Sequence, residues 1–112
     1  MAEILERDQL HAVGTSLEFE GFEHGDVGLC FILVNGAPGR GPRPHRHPYA
    51  EVFVVQEGRA TFTVEGKTIE AVAGQVVVVQ PGETHTFVNS GDGPLKQIDI
   101  HASDRFITDW LE

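Results

Sequence analysis

The sequence predicts an all-β domain, and three observations support this prediction. Thirteen glycines and six prolines divide the 112 residues into short segments, and turn signals about 8–12 residues apart are typical of β-sandwiches and β-barrels. Between these signals lie apolar runs rich in valine, isoleucine, threonine and phenylalanine, the residues that strands favour. Glu65-Gly66, which separates two such runs, has the composition of a two-residue hairpin turn.

Each predicted strand is an apolar run bounded by turn residues. The predicted strands are 28–34, 51–56, 60–64, 68–72, 75–79, 85–88 and 95–101. Two other segments are predicted to be helical. Residues 3–9 have the pattern of one or two weak turns. Residues 103–111 predict a short C-terminal helix, with Ser103 as its N-cap and with Phe106 and Trp110 among the apolar residues on one face.

Length and charge limit the class of protein. A chain of 112 residues suits a single domain, 1–112, with a short N-terminal arm at 1–10. Eight lysines and arginines against 17 aspartates and glutamates give a formal net charge of −9, which disfavours general nucleic-acid binding. No signal-peptide pattern and no apolar run of about 18 residues is present, so we expect a cytoplasmic protein without membrane contact. Cys30 is the single cysteine and is expected to be a small buried residue.

Two predicted strands are apolar on both faces. Val76–Val79 consists of four valines, and 51–56 is nearly as apolar. A strand with one face in water alternates apolar and polar residues, so we expect both faces of these strands to be covered. In a domain this small, a second copy of the chain is the simplest cover. We therefore predict a homodimer.

The residues with the most chemical information follow a loop rich in proline and glycine. His45 and His47 are two positions apart, so their imidazoles lie on the same face of an extended chain. Glu51 lies an even number of positions further on, and His85 begins another predicted strand after the Pro81-Gly82 turn. Imidazole nitrogens together with a carboxylate suit iron, nickel, zinc or manganese. We therefore predict one divalent transition metal, held by His45, His47, Glu51 and His85.

The other histidines are predicted to be ordinary residues that lie at the surface or have their polar groups satisfied by neighbours. They are His11, His24 and His101. His101 faces opposite to Ile98 and Ile100 on its predicted strand, because side chains alternate along a strand. We expect its imidazole to be exposed.

Two segments of the chain resemble the sequence motifs of the cupin superfamily. The first motif, G-x5-H-x-H-x3-E-x6-G, is matched in full by Gly39, His45, His47, Glu51 and Gly58. The second motif, G-x5-P-x-G-x2-H-x3-N, is matched by Gly74, Gly82, His85 and Asn89. Gln80 takes the place of its proline, and Pro81 follows. A spacer of 15 residues separates the motifs, as in small single-domain cupins, and the resemblance covers about residues 31–101.

The resemblance implies a fold, a cofactor and an assembly. The fold would be a cupin β-barrel, also described as a double-stranded β-helix or jelly roll. A metal would be bound inside the barrel by His45, His47, Glu51 and His85, and dimerisation is frequent. Cupins include dioxygenases, isomerases, epimerases, decarboxylases and proteins that only bind a ligand, so the resemblance leaves the activity open.

Three functions are compatible with these residues. We favour a metal-dependent, dioxygenase-like oxidoreductase that acts on a small enolic, phenolic or carboxylate compound, in which Glu51 could also accept a substrate proton. The second function is a metal-dependent isomerase, epimerase or cyclase, which would turn over without oxygen. The third is a non-catalytic cupin that binds a small ligand.

The pocket around the metal is predicted to be largely aromatic. The candidate substrate-contacting aromatic residues are Phe31, Tyr49, Phe53 and Phe87. Ligand pockets and ordinary cores use the same residue types, and such aromatic side chains serve packing more often than recognition. Arg40 and Arg43 precede the ligands and could guide an anionic substrate or simply balance nearby acids. Arg46 alternates with the two histidines and should point away from the metal.

Overall fold

The computed structural model describes residues 2–111 of the chain. Their strands are β1 His11–Val13, β2 Ser16–Glu20, β3 Cys30–Gly36, β4 His45–Arg46, β5 Glu51–Glu57, β6 Arg59–Val64, β7 Lys67–Val72, β8 Val76–Val79, β9 His85–Asn89, β10 Leu95–His101 and β11 Asp109–Trp110. They form a six-stranded sheet in the order β1-β2-β3-β10-β5-β8 and a five-stranded sheet in the order β11-β4-β9-β6-β7. All pairings are antiparallel, and each of the seven predicted strands overlaps an observed one. The prediction of an all-β barrel is confirmed.

The hydrophobic core lies between the two sheets. Phe53 and Val55 point inward from β5, and they meet Phe62 of β6 and Phe87 of β9. The rings of Phe53 and Phe62 pack edge to face with their centroids 4.9 Å apart, an arrangement that aromatic quadrupoles favour. Cys30 is fully buried, as the sequence predicted.

The turn between β6 and β7 has the geometry that its sequence predicts. Val64 pairs with Lys67, which leaves only Glu65 and Gly66 in the turn. Both have positive φ, 49° and 78°, as in a type I′ turn whose twist matches that of the flanking strands. The Glu65 carboxylate accepts a hydrogen bond from the Thr84 N–H at 2.6 Å. This contact ties the hairpin to the segment that leads into β9.

The outer face of β8 is not covered by the chain itself. Val77 and Val79 point into the core, whereas Val76 and Val78 each leave 55% of their surface exposed. Strand β8 is an edge strand of the six-stranded sheet. Within residues 2–111, the second face of β8 is therefore open, and the prediction that it is covered is not met by this part of the chain.

The prediction of a C-terminal helix over 103–111 is wrong. Residues 102–105 form bends, and the strand β11 that follows pairs with β4 so that Trp110 lies opposite His45. Phe106, Thr108 and Trp110 line one interior cavity. Apolar residues at positions 106 and 110 fit both the spacing of a helix face and the two-residue alternation of an extended chain, so the pattern alone could not distinguish the two.

The N-terminal residues extend the six-stranded sheet. A 3₁₀ turn at Arg7–Gln9 lies within the segment predicted to hold one or two turns. Residue 1 of the predicted arm 1–10 lies outside the described residues. Strands β1 and β2 then pair with each other, and β2 pairs with β3. Within residues 2–111, no helix is both long and apolar enough to cross a membrane.

Candidate metal centre

The four predicted metal ligands are brought together at one end of the barrel. His45 and His85 are paired across β4 and β9, Glu51 is the first residue of β5, and His47 lies in the segment between β4 and β5. All four side chains are buried. One candidate ligand atom from each residue lies within 4.8 Å of the others, which is close enough for all of them to contact one cation.

Backbone carbonyls fix which ring nitrogen each of the three candidate ligand histidines offers to a metal. Nδ1 of His45 lies 2.8 Å from the Arg43 carbonyl oxygen, and Nδ1 of His47 lies 2.8 Å from that of Ile107. Nδ1 of His85 is 2.9 Å from the carbonyl oxygen of Glu83. A carbonyl only accepts, so each Nδ1 carries the proton and donates it. Each Nε2 is then left with a lone pair for a metal, and the ring is held in a fixed orientation.

Glu51 is ionised at the centre of this cluster. Its Oε1 lies 3.1 Å from Nε2 of both His47 and His85, and its Oε2 lies 2.9 Å from Nε2 of His101. Burial by itself would raise the pKa of Glu51, but the three imidazoles outweigh burial and hold the pKa well below its usual range. The carboxylate therefore keeps its negative charge, as a metal ligand must.

Two of the imidazoles differ in how readily they take a proton. Burial lowers the pKa of His45 to about 4, so this ring is neutral at physiological pH. Burial also opposes the charged form of His85, but its contacts with Glu51 and with the Glu83 carbonyl prevail and raise its pKa above the usual value of a histidine. A proton is therefore the main competitor of a metal at His85.

The residues present fit a transition metal. Nε2 of His47 is buried and has no hydrogen-bond partner among the described residues, and an unpaired buried polar atom is costly unless it binds something. Three imidazole nitrogens and one carboxylate oxygen are a donor set used by iron, manganese, nickel and zinc. His45, His47, Glu51 and His85 thus form a candidate metal site.

The prediction that His101 is exposed is wrong. Only 3% of its surface is accessible, and the pairing of β10 with β5 sets it directly opposite Glu51. Ile98 and Ile100 instead occupy the outer face of the sheet, and Gln97 and Asp99 point inward with His101. The alternation correctly separated two faces, but it could not tell which face is inside, because the outer face of this sheet is itself apolar.

Tyr49 lies behind the histidines and contacts two of them. Its ring stacks on that of His47 with the centroids 4.9 Å apart, and its hydroxyl is 2.8 Å from Nδ1 of His101. The same hydroxyl oxygen accepts a hydrogen bond from the Ile107 N–H at 3.2 Å. Burial raises the pKa of Tyr49 to about 12, so the phenol keeps its proton.

A cavity of about 790 Å³ adjoins the cluster, and its lining is mostly apolar. Arg40 and Phe87, both predicted to contact substrate, lie in its wall. Arg43 does not line the cavity, but its guanidinium lies 5.2 Å from the centre of the Trp110 ring, which does. Arg46 is exposed and binds Asp109 at 2.8 Å, so it points away from the cluster, as predicted.

The other three aromatic residues predicted to contact substrate lie elsewhere. Phe53 is in the hydrophobic core, and Tyr49 stands behind His47. Phe31 stacks on Phe19 at 4.7 Å on the outer face of the six-stranded sheet. Their positions are decided by strand register and by strand face, which residue type does not reveal.

The cavity also contains residues that the sequence did not single out. Phe106 and Trp110 enter from the C-terminal segment, and Glu18 enters from β2. Asp99 is an inward-facing carboxyl of β10 that also lines the cavity, and it accepts a hydrogen bond from the Gln97 side-chain amide at 2.9 Å. Burial, reinforced by the charge of Glu51, raises the pKa of Asp99 well above its usual range and favours its protonated form.

The fold and the site together define a class of protein. Two antiparallel sheets form a barrel, and three histidines and a glutamate from β4, β5, β9 and the segment between β4 and β5 meet inside one end of it. The structure is therefore an all-β barrel with a candidate metal centre. A family model described as "Cupin domain" matches residues 32–101, and the chain belongs to the cupin family.

Comparison with known proteins gives more distant relatives. The polyketide synthase CurC of Streptomyces cyaneus is 33% identical over 79 residues, which cover 70% of this chain and 49% of that protein. The oxalate decarboxylase of Bacillus subtilis, a protein with Mn(II) centres, is 26% identical and superposes with a TM-score of 0.78, covering 86% of this chain and 27% of that one. An oxalate oxidase at 21% identity and a TM-score of 0.76, covering 87% of this chain and 54% of that one, shares the fold. The chain thus spans about half the length of the curated relative that it matches.

Metal affinity is expected to fall as the pH is lowered. The contacts with Glu51 and with the Glu83 carbonyl raise the pKa of His85 in the metal-free protein, so below that pKa a cation must displace a proton. The affinity should then drop about tenfold per pH unit. His45 has a pKa of about 4, so it takes up a proton that competes with the metal only near that pH. Calorimetric titration with Zn²⁺ between about pH 8.5 and 5 measures this slope, and an affinity that stays constant over this range would contradict the assignment.

Proposed function

We propose that this protein is a cytoplasmic, homodimeric, metal-dependent oxidoreductase of the dioxygenase-like kind, acting on a small enolic, phenolic or carboxylate compound. The observation that carries the proposal is the buried cluster of His45, His47, Glu51 and His85, of which His45, His47 and Glu51 line a mostly apolar cavity. Such an arrangement places a ligand in the cavity beside the metal. The Mn(II) centres of the structurally similar oxalate decarboxylase support the metal assignment.

The chain's own residues supply binding and proton chemistry. When bound, the cation would polarise an oxygen of the substrate or take part in electron transfer with oxygen. Phe87 and Trp110 offer aromatic surface to a planar substrate, and Arg40 offers a positive charge to an enolate or carboxylate. Glu51 is ionised, so its carboxylate could also accept a substrate proton.

The size and lining of the cavity favour a substrate larger than a two-carbon acid. A volume of about 790 Å³ lies within the range of pockets for drug-sized ligands. A small dicarboxylate such as oxalate would fill little of it and would leave the apolar walls without contact. The similarity to a protein named polyketide synthase supports an enolic or phenolic compound instead, because polyketones enolise readily and cyclise to phenols.

A second candidate function is a metal-dependent isomerase or cyclase. Asp99 favours this alternative, because its buried carboxyl lines the cavity and its raised pKa keeps a proton available. A group of this kind can give a proton to one atom of a substrate while Glu51 removes one from another. Such a reaction would consume no oxygen.

An oxygen-electrode experiment separates the two functions. The protein loaded with Fe²⁺, Mn²⁺, Ni²⁺ or Zn²⁺ is mixed with a panel of enolic and phenolic compounds, and oxygen uptake is recorded beside substrate absorbance. We expect uptake with at least one redox-active metal and none for His47→Ala. Substrate turnover without oxygen uptake would establish the isomerase or cyclase instead, and binding without turnover would establish a ligand-binding role.

The outer face of the six-stranded sheet supports the homodimer. Two rows of apolar side chains cross this face. Each row takes one residue from each of β8, β5, β10, β3 and β2, and these residues are paired across neighbouring strands. They are Val76, Val54, Ile98, Leu33 and Leu17 in one row and Val78, Val52, Ile100, Phe31 and Phe19 in the other. A continuous apolar face of ten side chains is larger than the scattered apolar residues of an ordinary monomer surface. A second copy would bury it by isologous packing.

The dimer is tested by charge substitution on this face. The double variant V76E/V78E changes two side chains that are 55% exposed in one chain, so the isolated fold should tolerate it. Sedimentation equilibrium should give twice the chain mass for the unchanged protein and the chain mass for the variant. Ile69→Glu, at a 45% exposed residue of the other sheet, is the matched control and should remain dimeric. A monomeric unchanged protein would overturn the proposal.

A further inference from the structure

The two carboxylate oxygens of Glu51 face different groups. Oε1 lies 3.1 Å from Nε2 of His47 and of His85, on the side of the candidate metal site. Oε2 lies 2.9 Å from Nε2 of His101. His101 is not a member of the group whose ligand atoms lie within 4.8 Å of one another, as far as residues 2–111 show. It therefore approaches Glu51 from outside the ligand set.

Tyr49 determines which nitrogen of His101 carries the proton. The Tyr49 oxygen already accepts the Ile107 N–H at 3.2 Å, and its own O–H is free to donate. The hydroxyl lies 2.8 Å from Nδ1 of His101, so that nitrogen accepts and the proton of the neutral ring sits on Nε2. The Nε2–H then lies on the side of the negative Oε2 of Glu51, with Nε2 2.9 Å from that oxygen.

His101 thus has the opposite tautomer from the other three buried histidines. Those rings donate from Nδ1 to carbonyl oxygens and leave Nε2 free. His101 accepts at Nδ1 and presents a proton at Nε2. Nε2 of His101 has no partner with hydrogen-bond geometry among the described residues, so its N–H does not point straight at the carboxylate. The contact with Oε2 is therefore electrostatic. A ring that carries its proton on Nε2 is a partner for a carboxylate and not a metal ligand.

We propose that His101 is a positioning residue that holds Oε2 of Glu51 and leaves Oε1 as the single atom offered to the metal, with Tyr49 setting the His101 tautomer. The inference rests on the proposed metal site. Without the His101 contact, the carboxylate could rotate and present both oxygens, and the open positions at the cavity would change. Ring contacts hold His101 in place, because Phe106 meets it edge to face with the centroids 4.9 Å apart.

The C-terminal segment supports this arrangement through one residue. The Ile107 carbonyl accepts from Nδ1 of His47, and the Ile107 N–H donates to Tyr49. The Ile107 carbonyl therefore orients the candidate metal ligand His47. The Ile107 N–H orients Tyr49, whose hydroxyl contacts the His101 ring beside Glu51. Both contacts use backbone groups of Ile107, a residue of the segment whose sequence predicts a helix.

The test compares metal binding in three variants. His101→Leu removes the donor and keeps an apolar side chain, His101→Gln keeps an N–H that can reach Oε2, and Tyr49→Phe removes only the hydroxyl. Co²⁺ is titrated into each protein, and both the dissociation constant and the visible absorption spectrum of the bound ion are recorded. His11→Leu is the matched control, because His11 is exposed and contacts Glu23. Circular dichroism of each metal-free variant verifies the fold.

We expect His101→Leu to weaken Co²⁺ binding by about 10–100-fold, the usual effect of losing a partner of a metal ligand, and to alter the spectrum. His101→Gln should restore most of the affinity, and Tyr49→Phe should be intermediate. Unchanged affinity and spectrum in His101→Leu would overturn the positioning role while leaving the metal site intact. Loss of one nitrogen ligand from Co²⁺ in His101→Gln would show that His101 binds the metal itself and would also overturn it. Failure of the unchanged protein to bind Co²⁺ would overturn the metal site and this inference together.

Discussion

Replacing His47 by alanine is expected to reduce metal affinity by more than about 100-fold and to abolish any metal-dependent turnover. His47 is buried, its Nε2 has no hydrogen-bond partner in the described residues, and its Nδ1 is anchored on the Ile107 carbonyl. Loss of a group that only orients a ligand commonly costs about 10–100-fold, and loss of a ligand should cost more. Calorimetric titration with Mn²⁺ and Zn²⁺ gives the affinity, and elemental analysis of the purified protein gives the occupancy.

The control for this prediction is His11→Ala. His11 is an exposed histidine paired with Glu23 at 2.8 Å, and its removal should leave both affinity and occupancy unchanged. Glu51→Gln is an informative companion, because it keeps the shape of the side chain and removes the negative charge that three imidazoles face. It should also lose most of its metal. Near-normal metal content in His47→Ala would mean that the four residues do not form a common site.

Phe53→Ala is expected to lower the free energy of unfolding by about 3–5 kcal/mol, the usual cost of emptying a buried phenylalanine site. Phe53 is 1% exposed, and its ring packs against Phe62, Phe87 and His85 with centroid distances of 4.9, 5.9 and 5.9 Å. The cavity would lie between the strands that carry Glu51 and His85, so metal affinity should also decrease. Urea unfolding of the metal-free protein measures the change in stability.

Two further variants distinguish a core role from substrate contact for Phe53. Phe53→Leu retains much of the volume and should restore most of the stability, and it should leave the Michaelis constant unchanged. Phe22→Ala is the control, because Phe22 is 44% exposed and stacks only on Arg105 within the described contacts. Phe22→Ala should lower the free energy of unfolding by less than about 1 kcal/mol. A stable Phe53→Ala variant with a raised Michaelis constant would favour the sequence-based prediction that Phe53 binds substrate.

The strands and the candidate metal ligands were accessible from the sequence because they depend on local rules. Turn residues at regular spacing separate the strands, and Glu65-Gly66 occurs where a type I′ turn requires two positive φ angles. His45 and His47 share a face because they are two positions apart in extended chain. Each of these features is contained in a few consecutive residues.

The remaining features depend on which segments meet and on which strand face points inward. The alternation in β10 fits either face of the strand pointing inward. Only the register with β5 places His101 against Glu51, 50 positions away in the chain. The two-sided apolarity of β5 and β8 indicates that both faces need cover, but not which side is the core.

The sequence by itself determined the all-β class, the hairpin and the four candidate metal ligands. Only the tertiary structure decided that residues 103–111 do not form a helix, because the backbone groups of Ile107 have His47 and Tyr49 as hydrogen-bond partners and β11 pairs with β4. It also decided which aromatic side chains reach the cavity. The physical reason is that local periodicity constrains the shape of a segment, whereas side-chain surroundings follow from pairing between strands far apart in the chain.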